Sequence, residues 1–406
     1  MPTPALHCGL RAGASTLAAA MLASIAPIAL ADPLPPQVTE SLRAVASSYQ
    51  AIQSDYVTPV DGTQLLSACM KGMFKSLDAS SAHLDGPALA ALTGPRPRDT
   101  AGIGVELTQR AGLPTVVSTS PGSPAETAGL RPRDFLLEID GESLEEADPA
   151  QAIARLNGPA GSTVTVTLRR PGESAPRTLS LVRVVGRVPP IVRTRGPDDI
   201  GYLRLYSLLE ATPGELRREF NALQQGGPLR GLVLDLRRSP GGLLNASIEI
   251  AAMFLPPDAV IARSEGRVAE ATQTFTANRA EVQKLARTPR QPWPEALTSV
   301  PLVVLVDSGT ASGAEILAAA LRDNGRARLI GSKTFGRGSV QTVRMISPTS
   351  AIKLTTALYR TPAGEMLQGR GLAPDEAVPE LELFSQAGSA NDPALARARA
   401  LLAARP

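Results

Sequence analysis

The chain has 406 residues, 43% of them apolar and only 3% aromatic, so it can bury a sizeable core made mostly of Leu, Val, Ile and Ala. Its 41 basic and 38 acidic residues leave a net charge of +3, too balanced for a nucleic-acid-binding class, and no basic stripe is interleaved with aromatics. No HExxH, paired CxxC or other metal-ligand spacing occurs, so neither a metal nor another cofactor is expected. In chain order, Arg11 comes first as a positive n-region, followed by the apolar run GASTLAAAMLASIAPIAL and small residues at Ala29–Ala31. Residues 1–31 are therefore expected to be a secretory signal peptide cut after Ala31, with export to the periplasm. The alternative is an uncleaved anchor, because the run approaches the ~20 residues that span a bilayer. Cys8 lies in that segment, which leaves Cys69 alone in LLSACMKGMFKSL, where a buried structural thiol is expected.

Residues 37–95 carry helix-period apolar positions (Val38, Leu42, Val45, Tyr49, Ile52, then Leu65, Leu66, Met70, Met73 and Leu77), broken by TPVDG into helices and closed by a linker at Gly94–Arg98. A strand-rich block spans 100–185, with GIGVEL, TVVSTS, DFLLEIDG, STVTVTLRR and RTLSLVRV as strands and two short helices between them. A third block, 187–380, alternates strand and helix, which argues an α/β core. Its segments LRGLVLDLR and PLVVLVD are continuous apolar runs of the kind buried on both faces. Residues 262–300 are polar and Pro-containing and read as a surface excursion, and the tail 381–406, with SQAGSAND, reads as partly disordered.

The block 100–185 resembles a PDZ domain, on GIGVEL, STSPGSPAETAGLRPRDFLLEIDGESL and LNGPAGSTVTVTLRRPG in that order. The resemblance implies a small β-barrel or sandwich with two helices that takes a C-terminal tail as an added strand. It places the loop for the terminal carboxylate at Gly102, Ile103, Gly104 and Val105. Glycines suit such a loop, since without a Cβ the backbone can approach a ligand closely, although GxG alone reads equally as a turn. Much more of the mature chain resembles the carboxyl-terminal processing proteases, a serine peptidase family. The segments are GLVLDLRRSPGGLLNASIEIAAMFLP, PLVVLVDSGTASGAEILAAALRDNGRARLIGSKTFGRGSVQT and KLTTALYRTPAGEMLQGRGLAPDEAV, with DYVTPVDGTQLLSACMKGMFKSLDASSAHLDG matching ahead of the PDZ block. The fold implied is multidomain α/β, with an N-terminal helical segment and a ββα-repeat peptidase core.

Ser312 sits between a strand and a helix, where a hydroxyl can be exposed and developing negative charge is favoured, though an ordinary N-terminal helix serine has the same setting. The family resemblance makes it the nucleophile of an acyl-enzyme mechanism. It also maps the oxyanion donors to Gly242 and Gly313, and a lysine-orienting glutamine to Gln341. The family base lysine lies 25 residues after the nucleophile, and 312 + 25 = 337 is Arg337 here. The two asparagines usual before PGG are Arg238 and Ser239. Arginine is a very poor base: it starts well above the ~10.4 of lysine, and a base must reach about 7–8. Lys333 in the same loop is an alternative base, and Lys353 in KLTT reads as structural because the family carries lysine there beside its own base. His7 lies in the leader and His83 is placed among the N-terminal helices, which leaves no histidine for a Ser-His-Asp triad. The implied partners are proteins or peptides with unstructured apolar C-termini, with a homo-oligomer and an adaptor protein as further partners. The alternative function is a pseudo-protease that binds C-termini without cutting.

Overall fold

The computed structural model describes residues 33–86, 89–90, 101–145, 147–186, 190–285, 292–379 and 391–404; the expected signal peptide and the expected Gly94–Arg98 linker lie outside them. Helices α1 (Pro36–Asp55) and α2 (Gly62–Lys75) form where the apolar period predicts, and Asp61 caps α2 by accepting the Thr63 and Gln64 N–H groups. Their apolar stripe is uncovered: Val38, Leu42, Val45, Leu66 and Met73 are exposed. Cys69 is exposed as well, which corrects the expectation of a buried thiol. The helical period was right, but α2 buries only Phe74, so the face holding Cys69 meets solvent. His83 is not helical either. It lies on β1 (Ala82–Asp85), which pairs antiparallel with a strand some 270 residues away, Leu84 opposite Ala351.

The second block is β2 (Val105–Arg110), β3 (Leu113–Thr119), α3 (Pro124–Thr127), β4 (Phe135–Ile139), β5 (Glu142–Ser143), α4 (Pro149–Leu156), β6 (Thr163–Arg169) and β7 (Arg177–Val182). The strands order as β2-β3-β4-β6-β7 with β5 on β4, around Val116, Leu136, Leu144, Leu156, Val166 and Leu168. Strand β2 is therefore an edge strand with one side unpaired in its sheet.

The third block runs β8 (Ile191–Arg195), β9 (Ile200–Leu205), α5 (Thr212–Gln224), β10 (Gly231–Asp235), α6 (Leu244–Phe254), β11 (Val260–Gly266), β12 (Gln273–Thr276), α7 (Arg279–Leu285), α8 (Ala296–Ser299), β13 (Leu302–Val306), α9 (Gly313–Asp323), β14 (Arg328–Gly331), β15 (Ser339–Ser347), β16 (Ser350–Arg360), β17 (Glu376–Ala377) and α10 (Pro393–Ala403). Strands β9, β10, β13, β14 and β17 are parallel neighbours, with β8 antiparallel at the edge. Every residue of β10 and β13 is buried, as the continuous apolar runs require. A second, antiparallel sheet joins β1, β16, β11 and β12, with β15 on β16. Residues 262–300 are thus no mere surface excursion: β11 lies inside this sheet, and Ala262, Ala277, Val282 and Leu297 are core. Of the tail expected to be partly disordered, residues 381–390 lie outside the described residues, and the remainder is ordered to residue 404. Residues 393–403 are a helix whose Ala394, Leu395, Ala398 and Leu402 pack on Ile200, Val233 and Val303 of the parallel sheet.

Candidate active site

Strand β13 ends at Val306 and α9 begins at Gly313, and the short turn between them is held from both sides. Buried Asp307 accepts the N–H groups of Arg238 at 2.8 Å and Gly309 at 2.9 Å. Ala311 N–H donates to the Ser239 carbonyl at 2.9 Å. At the end of this turn Ser312 has φ 53° and ψ −122°. A non-glycine residue pays for such a backbone, and turns that do so present a side chain at the mouth of a sheet.

Beside it runs the SPGG turn. Gly242 has φ 147°, and a Cβ built there would stand 2.2 Å from the Leu208 carbonyl oxygen; one on Gly241 would stand 2.4 Å from the Ala311 oxygen. Only glycine fits, and the fit brings two amides together: the Gly242 nitrogen is 3.6 Å from where a Gly313 Cβ would lie. Among the described residues neither the Gly242 nor the Gly313 N–H has an acceptor. Two free amide donors beside the half-buried Ser312 form what a tetrahedral oxyanion requires. Gly242→Ala is expected to cut kcat by about 10²-fold or more, as losing one such donor does. Steady-state turnover checks this, with thermal unfolding run alongside to show that the variant folds.

The loop 332–338 closes the third side. Fully buried Glu315, one turn into α9, accepts four donors: the N–H groups of Ser312 at 2.9 Å, Gly336 at 2.8 Å and Arg337 at 2.8 Å, and the Thr334 hydroxyl. Burial pushes this carboxyl above its usual range against the pull of those donors. The Arg337 backbone is therefore fixed to the start of α9, and its guanidinium lies 3.8 Å from Glu106 on β2. Gln341 Nε2 donates to Thr355 Oγ1 at 2.8 Å, and that hydroxyl donates on to Asp78 at 3.1 Å. This relay fixes the amide's orientation and leaves Gln341 Oε1 buried without a partner. Lys333 is exposed. Lys353 is not: it stands opposite Val343, on the sheet face that Gln341 and Thr355 share. Burial holds its amine below the usual range, Asp148 opposes that and Arg337 adds to it.

The β2–β7 block docks directly on these loops. Arg133 donates to the Thr334 carbonyl at 2.9 Å, Arg238 ion-pairs with Glu126, and Val117 is buried against Ala311 and Phe335. Among the described residues no group of His, Cys, Asp and Glu could hold a metal ion.

Residues 199–378 match peptidase family S41, and residues 115–170 match a PDZ domain. A carboxy-terminal-processing protease of Bartonella bacilliformis is 34% identical over 330 residues, 80% of this chain and 72% of that one. The chain belongs to the carboxyl-terminal processing proteases. A second such protease, from Picosynechococcus sp., is 37% identical over 68% of this chain and 64% of its own length. Among solved structures, the photosystem II D1 C-terminal processing protease superposes with a TM-score of 0.69 at 27% identity, over 89% of this chain and 100% of that one. The fold is that of a serine peptidase carrying a PDZ domain.

In this protease the sequence-derived candidates Ser312, Gly242 and Gly313 come together, and Arg337 and Gln341 lie on the adjoining loop and strand. In the PDZ domain, Ile103 and Gly104 N–H groups have no acceptor among the described residues, whereas Gly102 exchanges both its backbone bonds with Val184. Gly104 has φ 76°, and Ile103 is core rather than groove. Val105 opens the edge strand β2 beside α4. Sequence reasoning passed over Glu315, although Ser312-x-x-Glu315 is the spacing of a capping box and marked it. It also passed over Glu106 and Glu126, which no local signal ties to the peptidase block.

Proposed function

We propose that the chain is an exported endopeptidase that captures unstructured, apolar protein C-termini in its PDZ domain and cleaves them through an acyl-enzyme on Ser312. The observation that supports this best is the positive-φ Ser312 beside the acceptor-free amides of Gly242 and Gly313. In the reaction Ser312 Oγ loses its proton and attacks the scissile carbonyl. The oxyanion takes the two N–H donors, the amine leaves with a proton, and water hydrolyses the ester. A tail adds to the free edge of β2, with its carboxylate on the Ile103 and Gly104 amides. The test is cleavage of an unfolded polypeptide with an apolar C-terminus by the purified protein; Ser312→Ala should abolish it, and equal cleavage by both proteins would sink the assignment. Export carries its own expectation: the secreted protein should begin at Asp32 by intact mass.

A second reading, a binder that no longer cuts, is favoured by one feature: Arg337 stands at the base position and faces Glu106. Under it, C-terminal peptides bind with equal affinity to the native protein and Ser312→Ala, and neither hydrolyses them.

The uncovered stripe of α1 and α2 supports a homo-oligomer formed through these helices. Leu42→Asp combined with Leu66→Asp is expected to convert the oligomer to monomer in light scattering, whereas Val182→Asp, exposed on the PDZ domain, should leave it unchanged.

A further inference from the structure

The C-terminal helix α10 does more than cover the sheet. Its N-cap, Asp392, is almost fully buried and accepts the Leu395 N–H at 3.1 Å. The same carboxylate receives both terminal nitrogens of Arg237: Nη1 donates to Oδ1 at 3.0 Å and Nη2 to Oδ2 at 2.5 Å. Arg237 is itself fully buried, and its other edge donates to Asp235, through Nε at 3.0 Å and Nη2 at 2.6 Å. Asp235 also accepts the Tyr202 hydroxyl at 2.7 Å. One guanidinium is therefore clamped between two carboxylates, one at the end of β10 and one from a helix 155 residues further along the chain. A planar five-donor head gripped on both sides cannot rotate.

The oxyanion turn comes directly after Arg237 in the chain. Arg238 has φ 57°, Ser239 gives its carbonyl to Ala311, Gly241 gives its carbonyl to Leu208 at 2.9 Å, and Gly242 is next. Asp392 thus reaches the nucleophile's neighbour through Arg237 and a short step of backbone. A surface helix held by its apolar face alone would dock with no charged pair; burying one is costly unless geometry is the return. Here both carboxylates and the guanidinium are satisfied.

We propose that Asp392 is a positioning residue for the oxyanion turn, and that α10 works as a clamp on Gly242 and Ser312 through Arg237. This rests on the acyl-transfer reading of those two residues. The carboxylate fixes Arg237, Arg237 fixes the start of the turn, and the turn holds its amides at the distance the oxyanion needs. Losing that grip loosens a site whose sheet and helices remain folded.

The test compares wild type, Asp392→Asn and Leu402→Ala in the full chain. Leu402 packs the same helix on the same sheet through apolar contacts and has no polar group to offer Arg237. Hydrogen exchange is read by mass spectrometry over peptides 206–213, 236–245 and 308–316, with β13 and the PDZ domain as internal references, and kcat and KM are measured in parallel. The expected result for Asp392→Asn is exchange about tenfold or more faster in those three segments only, with kcat down about 10²-fold and KM within twofold. Leu402→Ala should speed exchange in α10 and leave the three segments and kcat near wild type. Unchanged exchange in Asp392→Asn, or equal loosening of the turn in Leu402→Ala, overturns the clamp. If wild type shows no turnover while Asp392→Asn still loosens the three segments, the clamp stands and the peptidase reading fails.

Discussion

Arg337→Lys should raise turnover of an unfolded polypeptide by about 10²- to 10⁴-fold over wild type, the range that a positioned general base contributes. The structure makes this a small change in stability terms. Arg337 and Glu106 are 3.8 Å apart with side chains 37% and 51% exposed, a pair of the surface kind that contributes little. The backbone of residue 337 is held by Glu315, so a new side chain starts from the same place. Gln341 Oε1 waits buried and unmatched, with its amide fixed by Thr355, and an ammonium would supply the missing donor. A lysine needs its pKa lowered by about three units to act near neutrality, which active sites achieve, whereas an arginine needs roughly six. Measuring kcat for wild type, Arg337→Lys and the double variant with Ser312→Ala decides the matter. Equal rates for wild type and Arg337→Lys would mean that another group takes the proton. The structure then directs the next substitution to Lys353→Met rather than to Lys333, because Lys353 is the amine that shares Gln341's face and sits below its usual range.

How far the sequence carried the reading depends on distance along the chain. Ser312, Gly242 and Gly313 were named through the family resemblance, since local chemistry alone reads Ser312 equally as an ordinary N-terminal helix serine and the SPGG segment as a turn. The parallel strands were legible because burial on both faces writes a continuous apolar run. Strand β1 was not, since four residues following two helices carry no period of their own and take their conformation from β16. The C-terminal helix was passed over within a tail read as partly disordered on the polar SQAGSAND, yet Asp392-Pro393 is a start signal, an N-cap followed by proline in the first turn. The direction of the Arg337 side chain could not be read at all. It depends on Glu106, 231 residues earlier by the arithmetic 337 − 106, and on how the PDZ domain docks. The Arg238 position is a milder case. Its φ of 57° lies in the left-handed region that asparagine tolerates better than most side chains, which gives a physical reason for the asparagine that the family resemblance implies there. Here the strain is offset by the N–H bond to Asp307 and the pair with Glu126.

The second large effect concerns Glu315→Gln, a substitution of nearly equal volume. Its consequence comes from counting donors. Oε1 accepts from the Thr334 hydroxyl and the Gly336 N–H, and Oε2 accepts from the Ser312 and Arg337 N–H groups. All of these partners donate, and three cannot reverse because they are backbone amides. A glutamine has one acceptor oxygen, so in either orientation its NH2 group meets at least one amide N–H head-on. If the NH2 takes the Oε2 position, Ser312 and Arg337 both lose their acceptor. If it takes the Oε1 position, Gly336 loses its acceptor and only Thr334 can turn its hydroxyl to accept. The residue is fully buried, so no water replaces the lost partner. Leaving a buried donor unsatisfied costs about 1–3 kcal/mol, so one or two such groups place the loss at about 1–6 kcal/mol. The second orientation spares the Ser312 and Arg337 N–H groups and is the cheaper, so the loss falls first on Gly336 in the loop 332–338. The expected result is a clear drop in the unfolding midpoint, together with a fall in kcat of about 10²-fold or more as Gly336 and the loop it belongs to shift relative to Ser312. Glu315→Asp keeps both acceptor oxygens on a shorter arm and should recover part of the kcat that Glu315→Gln loses. A glutamine variant with wild-type midpoint and wild-type kcat would show that the four bonds to Glu315 do not hold the loop to the helix.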